Sequence, residues 1–229
     1  MKLVLFDIDG TLLWTDGVGR RSMEGALEAV FGVRGDPAYR YDGKTDKQIA
    51  REQMRGAGVD DATITARMDD VLTAYVERLH ADLANNPSGA RLCDGALPLL
   101  DAIEQHRGTT LGLLTGNIEV GARGKLGAVG VSFDRFHVNA FGSDHEDRPQ
   151  LPAIAQARAQ QYFGAPVPGE RIVIIGDTPA DIHCGRSIGV RAIGVATGRY
   201  SVTDLAAHAP AAVFPTLSDT AAVLEAILA

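Results

Sequence analysis

Two aspartates stand one residue apart at the end of an apolar run. The segment KLVLFDIDGTLL, residues 2–13, places Asp7 and Asp9 on either side of Ile8. Side chains alternate along an extended strand, so the two carboxylates share one face. Each makes the other harder to ionise, and the pairing calls for a cation. A second apolar run ends in Thr115, Gly116 and Asn117, and a third in Gly176, Asp177, Thr178, Pro179 and Asp181. Carboxylate and hydroxyl oxygens are hard donors that suit Mg²⁺, which takes a few carboxylates and leaves positions for water and phosphate oxygens. Taken singly, each motif has an ordinary reading. Asp9-Gly10 makes a turn, Thr115-Gly116 leaves a strand, and DTPAD starts a helix with Asp177 or Thr178 as N-cap and Pro179 in the first turn. Taken in order, each at the end of a strand, they point to one site.

The runs that carry these residues read as strands buried on both faces. They cover residues 2–8, 109–116, 171–177 and 190–197, with a shorter one at 211–214, and each is continuously apolar rather than alternating. Helical patterns separate them after residue 94, which predicts βαβ units in an open α/β sheet with right-handed crossovers. In such sheets the functional crevice lies beyond the carboxyl ends of the strands, where all three motifs fall. Roughly 100 residues separate the first two strands, far more than one crossover needs. Ser22, ahead of Met23, Ala26, Leu27, Val30 and Phe31, predicts a capped amphipathic helix. Thr45 and Gln48 predict a capping box for a helix ending near RGAG, residues 55–58. Ile64, Met68, Val71, Leu72, Tyr75, Val76, Leu79 and Leu83 form a long apolar stripe, closed by NNPSG at 85–89. Residues 15–90 therefore read as a helical subdomain inserted after the first strand.

The 229 residues carry a net charge of −7, with 45% hydrophobic and 22% charged residues. That balance belongs to a globular protein with a sizeable core. The negative charge, and the lack of a clustered Lys/Arg stripe, argue against nucleic acid as a partner. No apolar run approaches the ~20 residues of a membrane span, and the N-terminal run meets charge too early for a signal peptide. The expectation is a cytoplasmic protein with no membrane partner. Cys93 and Cys184 lack CxxC or Cys/His spacing and read as free thiols.

Together, DIDGT, LLTGN and GDTPAD resemble the haloacid dehalogenase-like hydrolase superfamily, in particular its helical-cap phosphatases of the phosphoglycolate phosphatase kind. The resemblance covers residues 1–14 and 91–229 as the core, and 15–90 as the cap by position and helical character. It implies a Rossmann-like open parallel sheet with an α-helical cap. It also implies Mg²⁺-dependent hydrolysis of a small cytosolic phosphomonoester through an aspartyl-phosphate. Asp7 is the implied nucleophile, carboxylates being an established route to such intermediates. The implied metal ligands are the Asp7 carboxylate, the Asp9 backbone carbonyl and the Asp177 carboxylate, with Asp181 in support. A divalent charge answers the repulsion between the clustered acids and draws in a dianion. Asp9 is the implied general acid/base. Haloacid dehalogenases proper lack this second aspartate and need no Mg²⁺, so Asp9 favours phosphoester chemistry. Gly10 permits a tight turn that lets Thr11 reach back. Thr115 is implied to hydrogen-bond a phosphoryl oxygen, with Gly116 and Asn117 offering backbone N–H groups.

The sequence departs from the superfamily at its cation. Where a Lys-Pro pair is usual, DRPQL places Arg148, which can act with a forked donor. Lys125, in GARGKLGAVG, is the rival at a less usual spacing. The segment YDGKTDKQI resembles the substrate-specificity loop of helical caps, with Gly43, Lys44 and Thr45 as substrate-binding residues and Lys44 a reader of a carboxylate or second phosphate. It reads equally as a glycine turn before an N-capped helix, and both can hold. The expected partner is a small phosphorylated metabolite, and the expected assembly a monomer or homodimer. Three alternatives stand beside the phosphatase. A phosphomutase of the β-phosphoglucomutase type resembles this core, but GKTDKQ lacks the arginine-serine cap element of those mutases. A phosphonoacetaldehyde hydrolase needs a cap lysine, for which Lys44 and Lys47 are available. A non-catalytic binding member has no evident reason to cluster acids.

Overall fold

The computed structural model describes residues 1–86 and 89–229. Strand β1 (Lys2–Phe6) leads through the two-residue β2 (Leu13–Trp14) into helices α1 (Val18–Phe31), α2 (Asp46–Gly56) and α3 (Asp61–Asn85), and the chain returns through β3 (Arg91–Leu92). Helices and strands then alternate: α4 (Ala96–Gln105), β4 (Thr109–Thr115), α5 (Glu119–Ala128), β5 (Val138–Phe141), α6 (Leu151–Phe163) and β6 (Ile172–Gly176). After these come α7 (Pro179–Cys184), β7 (Arg191–Val195), α8 (Val202–Ala206), β8 (Ala212–Phe214) and α9 (Thr220–Leu228). The six longer strands form a parallel sheet in the order β5-β4-β1-β6-β7-β8. The expected α/β class with a helical insert is the fold observed.

Burial on both faces explains the continuously apolar strands. Along β1, Val4 and Phe6 pack with Leu99, Ile103, Leu126 and Ile227 on one side, while Leu3 and Leu5 pack with Leu151, Ala155 and Ala159 on the other. Each fully buried side chain of this size contributes about 1.5–3 kcal/mol. The insert has a core of its own, in which Met23 and Leu27 of α1 meet Met54 of α2 and Ile64, Val71, Tyr75 and Leu79 of α3. The predicted stripe is thus the buried face of α3.

Two local expectations are corrected. Ser22 does not cap α1, because the helix begins earlier, behind a left-handed Gly17, and Ser22 lies buried inside it. Thr45 does cap α2, accepting from the Gln48 N–H at 3.1 Å, but the Gln48 side chain donates to Glu52 rather than back to the cap, so the box is one-sided. The pairing of β2 with β3, Leu13 opposite Leu92 and Trp14 opposite Arg91, is too short to leave a period in the sequence. It ties together the two chain crossings between sheet and insert. Of the expected α3 stop at 85–89, residues 87 and 88 lie outside the described residues.

The glycines of α5 find a use in packing. A Cβ on Gly124 would lie 2.8 Å from His80, and one on Gly121 would lie 3.4 Å from Leu79. Small residues there let α3 of the insert rest directly on α5 of the sheet domain.

Candidate active site

Strand order decides where a site can form. From β1 the sheet builds outward through β4 on one side and through β6 on the other, so the switch point lies at β1, the position where open α/β sheets bind ligands. Asp7 leaves β1 there, its N–H donating to the Ile175 carbonyl at 2.9 Å, and Asp177 leaves β6 beside it. Asp181 joins them from α7. Its carboxylate accepts from the Thr178 N–H at 3.0 Å and from the Thr178 hydroxyl at 2.6 Å, closing a reciprocal capping box. One carboxylate oxygen from each of Asp7, Asp177 and Asp181 lies within 4.8 Å of the others, and all three residues are buried. Glycines make the room. A Cβ on Gly10, at φ 81°, would stand 2.5 Å from an Asp177 oxygen, and one on Gly198 would stand 1.8 Å away.

Burial makes these charges costly. Desolvation pushes the Asp7 carboxyl up to about 6 against the pull of Arg148, with Asp181 and Asp9 adding to the rise. Burial, then Asp181 and Asp7, lifts Asp177 well above the carboxylate range. Arg148 lies 3.4 Å from Asp7 and is hydrogen-bonded to Asp181. Desolvation works against its own charge, but the two carboxylates outweigh it and raise its pKa. Three carboxylates beside one guanidinium leave two negative charges uncompensated. A hard divalent cation fits that deficit and that donor set, and the cluster could hold one.

Asp9 has a different environment. Lys125, from α5, places its Nζ 2.8 and 2.7 Å from the two Asp9 carboxylate oxygens and 2.6 Å from the Asn117 side-chain oxygen. The Asn117 amide donates to Asp9 at 2.8 Å and to the Thr115 hydroxyl at 2.8 Å. The Asn117 backbone N–H, expected to serve a phosphoryl oxygen, donates to the Thr115 hydroxyl at 3.3 Å, so the side chain is the part that meets the site. Thr115 thus accepts twice and keeps its own proton to donate into the cavity it lines. The Thr11 hydroxyl donates to Asp177 at 3.3 Å.

The insert roofs these groups and encloses a cavity of about 560 Å³. Its loop 42–46 sits on the ends of the sheet strands. The Asp46 N–H donates to the Gly116 carbonyl at 2.8 Å, the Asp46 carboxylate accepts from the Ile118 N–H at 2.8 Å, and the Thr45 hydroxyl donates to the Glu146 carbonyl at 2.6 Å. Burial pushes the Asp46 carboxyl up to about 6, against Lys125 and the Ile118 N–H. Gly43, at φ 71°, passes so close to α7 that a Cβ would lie 2.5 Å from that of Ala180. A Cβ on Gly116 would stand 2.0 Å from the Lys44 carbonyl.

A family model for HAD-hydrolase-like proteins matches residues 149–220, the stretch that holds Asp177 and Asp181. Over those residues the chain is similar to the HAD-like hydrolases, the family its motifs resemble. Solved structures repeat the fold over nearly the whole length. A hydrolase from Pseudomonas syringae shares 19% identity at a TM-score of 0.71, covering 98% of both chains. A predicted phosphoglycolate phosphatase from Haemophilus somnus shares 20% at 0.69, covering 98% of both. CbbY from Rhodobacter sphaeroides, solved in complex with phosphate, shares 20% at 0.69, covering 96% of both. No curated protein sequence matches the chain.

Lys44, expected to read a substrate carboxylate or second phosphate, already has partners in the insert. Lys44 lines the cavity, but its Nζ is bound at 2.5 Å to Glu52 and at 2.6 Å to the Tyr39 hydroxyl, both in the insert. Lys47 donates to the Ser143 carbonyl at 2.9 Å and is a tether between insert and sheet domain. Tyr41 and Asp46, in the cavity wall, belong to the YDGKTDKQI loop read from the sequence, whereas Tyr75, Arg199 and Gly198 are lining residues that the sequence does not single out for the site. For the last two the one signal is a TGR turn following a strand. Among the described residues no helix is long and apolar enough to cross a membrane. Both cysteines are buried and free.

Proposed function

We propose that this protein is a Mg²⁺-dependent phosphomonoester hydrolase that works through an aspartyl-phosphate on Asp7, with residues 15–90 as its cap and 1–14 and 91–229 as its core. The observation that carries the reading is the gathering of Asp7, Asp177 and Asp181 within 4.8 Å of one another beside Arg148, on the floor of a roofed cavity. The Asp7 and Asp177 carboxylates and the Asp9 main-chain carbonyl would hold the ion, with Asp181 in support. When bound, such an ion offsets the repulsion between the nucleophile and the incoming phosphate.

The chain's own groups do the rest. The Asp7 carboxylate attacks phosphorus, an O–P bond forms and the bond to the leaving oxygen breaks. Asp9 gives its proton to that oxygen, then takes one from the water that attacks the acyl phosphate, which releases inorganic phosphate and restores Asp7. Arg148, lying against Asp7 and hydrogen-bonded to Asp181, is placed to take up charge at the nucleophile, and Thr115 has a proton to donate to a phosphoryl oxygen. The neighbours described as a phosphoglycolate phosphatase and as a phosphate complex make a small organic phosphate the substrate class to test. Phosphoglycolate comes first, set beside larger sugar phosphates, because the cavity of about 560 Å³ admits both.

The test is phosphate release from p-nitrophenyl phosphate and from a panel of metabolites, with Mg²⁺ and with chelator. Metal-dependent release of inorganic phosphate is the expected result. Undiminished turnover in chelator would remove the metal, and an isomerised product without phosphate release would make the protein a mutase.

A further inference from the structure

The fold holds two buried cations at its site, and the hydrolysis above uses only Arg148. Lys125 is 3% exposed, and its three ammonium protons are accounted for by the two oxygens of Asp9 and the side-chain oxygen of Asn117. Among the described residues its ion-pair partner is Asp9, whereas Arg148 pairs with Asp7 and Asp181. The insert makes space for this ammonium. A Cβ on Gly19 of α1 would stand 3.2 Å from the Lys125 Nζ and 3.8 Å from the Tyr75 hydroxyl. Stability gives little reason for such a pair, since the Asp9 side chain is 38% exposed to the cavity and half-exposed ion pairs contribute little, while burying the lysine costs free energy.

We infer that Lys125 is the positioning residue for Asp9, holding its carboxylate toward the leaving oxygen with Asn117 as second anchor, while Arg148 serves the nucleophile. The inference rests on the proposed phosphatase reading, and it divides the two cations between the two catalytic aspartates. Among the described residues Lys125 makes no ion pair with Asp7, Asp177 or Asp181, and its charge also faces the buried Asp46 carboxylate of the insert. The three contacts to Asp9 and Asn117 fix both the rotation and the tilt of the Asp9 carboxylate, which a single hydrogen bond would leave free. A general acid/base that is misaligned forfeits much of the ~10²–10⁴-fold it supplies.

The test is a double-variant cycle of Lys125→Met and Asp9→Asn, measured on p-nitrophenyl phosphate, whose leaving group needs little protonation, and on an alkyl phosphate, whose leaving group needs much. Lys125→Met is expected to lower kcat by about 10–10²-fold on the alkyl ester with KM nearly unchanged, and by clearly less on the aryl ester. The double variant is expected to be no worse than Asp9→Asn alone, within about 3-fold, because Lys125 acts through Asp9. Additive losses, equal losses on the two esters, or a rate within about 2-fold of wild type would overturn the assignment. Lys125→Gln runs in the same cycle as the second variant. If neither variant unfolds cooperatively, Lys125 is a structural residue and the assignment is overturned. A wild-type protein with no phosphatase activity would instead bring down the reading beneath it.

Discussion

Asp7 and Asp9 follow the end of β1 with one residue between them, yet they sit in opposite electrostatic settings. Asp7 is buried among Asp177 and Asp181 with Arg148 at 3.4 Å, and Asp9 is held by Lys125 and Asn117 at the cavity wall. Their variants should therefore fail in different ways. Asp7→Asn is expected to lose kcat by ~10⁴-fold or more on every phosphate ester, with little change in stability, as read by steady-state kinetics and thermal unfolding. Arg148→Ala leaves Asp7 and Asp181 buried without their cation and should cost about 3–5 kcal/mol of folding free energy. Arg148→Lys keeps the charge without the fork, and its stability and activity should fall between those of Arg148→Ala and wild type. Thermal melts of the three proteins in chelator decide this. Equal melting temperatures would show that the guanidinium does not hold the acids together.

At the scale of elements, the decisive contact is between the loop before α2 and the end of β4. Gly116 is needed less for its own backbone than for what crosses over it, the Lys44 carbonyl, which a Cβ would meet at 2.0 Å. Gly116→Ala is expected to lift the cap loop from the core, breaking the bonds of Asp46 to Gly116 and Ile118. The core sheet remains packed. A displacement of about 1 Å at this point can cost ~10²-fold in kcat/KM, with overpacking adding about 1–3 kcal/mol if the loop stays down. Kinetics together with proteolysis of the insert would report the lifted loop. A fully active, protease-resistant Gly116→Ala protein would show that the loop does not complete the site.

For the whole molecule, the acid cluster links folding, metal and pH. Burial sets the Asp7 carboxyl at about 6, above the 3.8 of the free side chain, and Asp46 in the cap contact behaves likewise. A carboxyl whose folded value is raised binds its proton more tightly in the folded state. The metal-free protein therefore loses stability as pH rises from about 4 through 6, where the folded state must give up those protons. A divalent ion binds the ionised cluster, and protons compete with it. The melting-temperature gain on adding millimolar Mg²⁺ should accordingly be larger at about pH 8 than at about pH 5.5, by mass action on the folded state. A gain independent of pH would mean that the ion binds somewhere other than these acids.

The sequence by itself settled the class of sheet and the motifs at its strand ends, because both depend on local rules. Strands covered on both faces are apolar throughout, as residues 3–6 and 172–176 are, and turn and cap chemistry marks their ends at Gly10 and Thr178. It also showed that a helical segment of its own interrupts the chain after β1. Motif position put Arg148 ahead of Lys125, 23 residues away in the chain, but could not say which carboxylate each would meet. Both are cations on helical segments, and no period tells which carboxylate each will meet. Folding brought one to Asp7 and the other to Asp9. Nor did spacing reveal that Lys44 is bound to Glu52, or that Asp46 spans cap and core. Pairings between residues distant in sequence are set by how helices pack over a sheet, and only the tertiary structure fixes that.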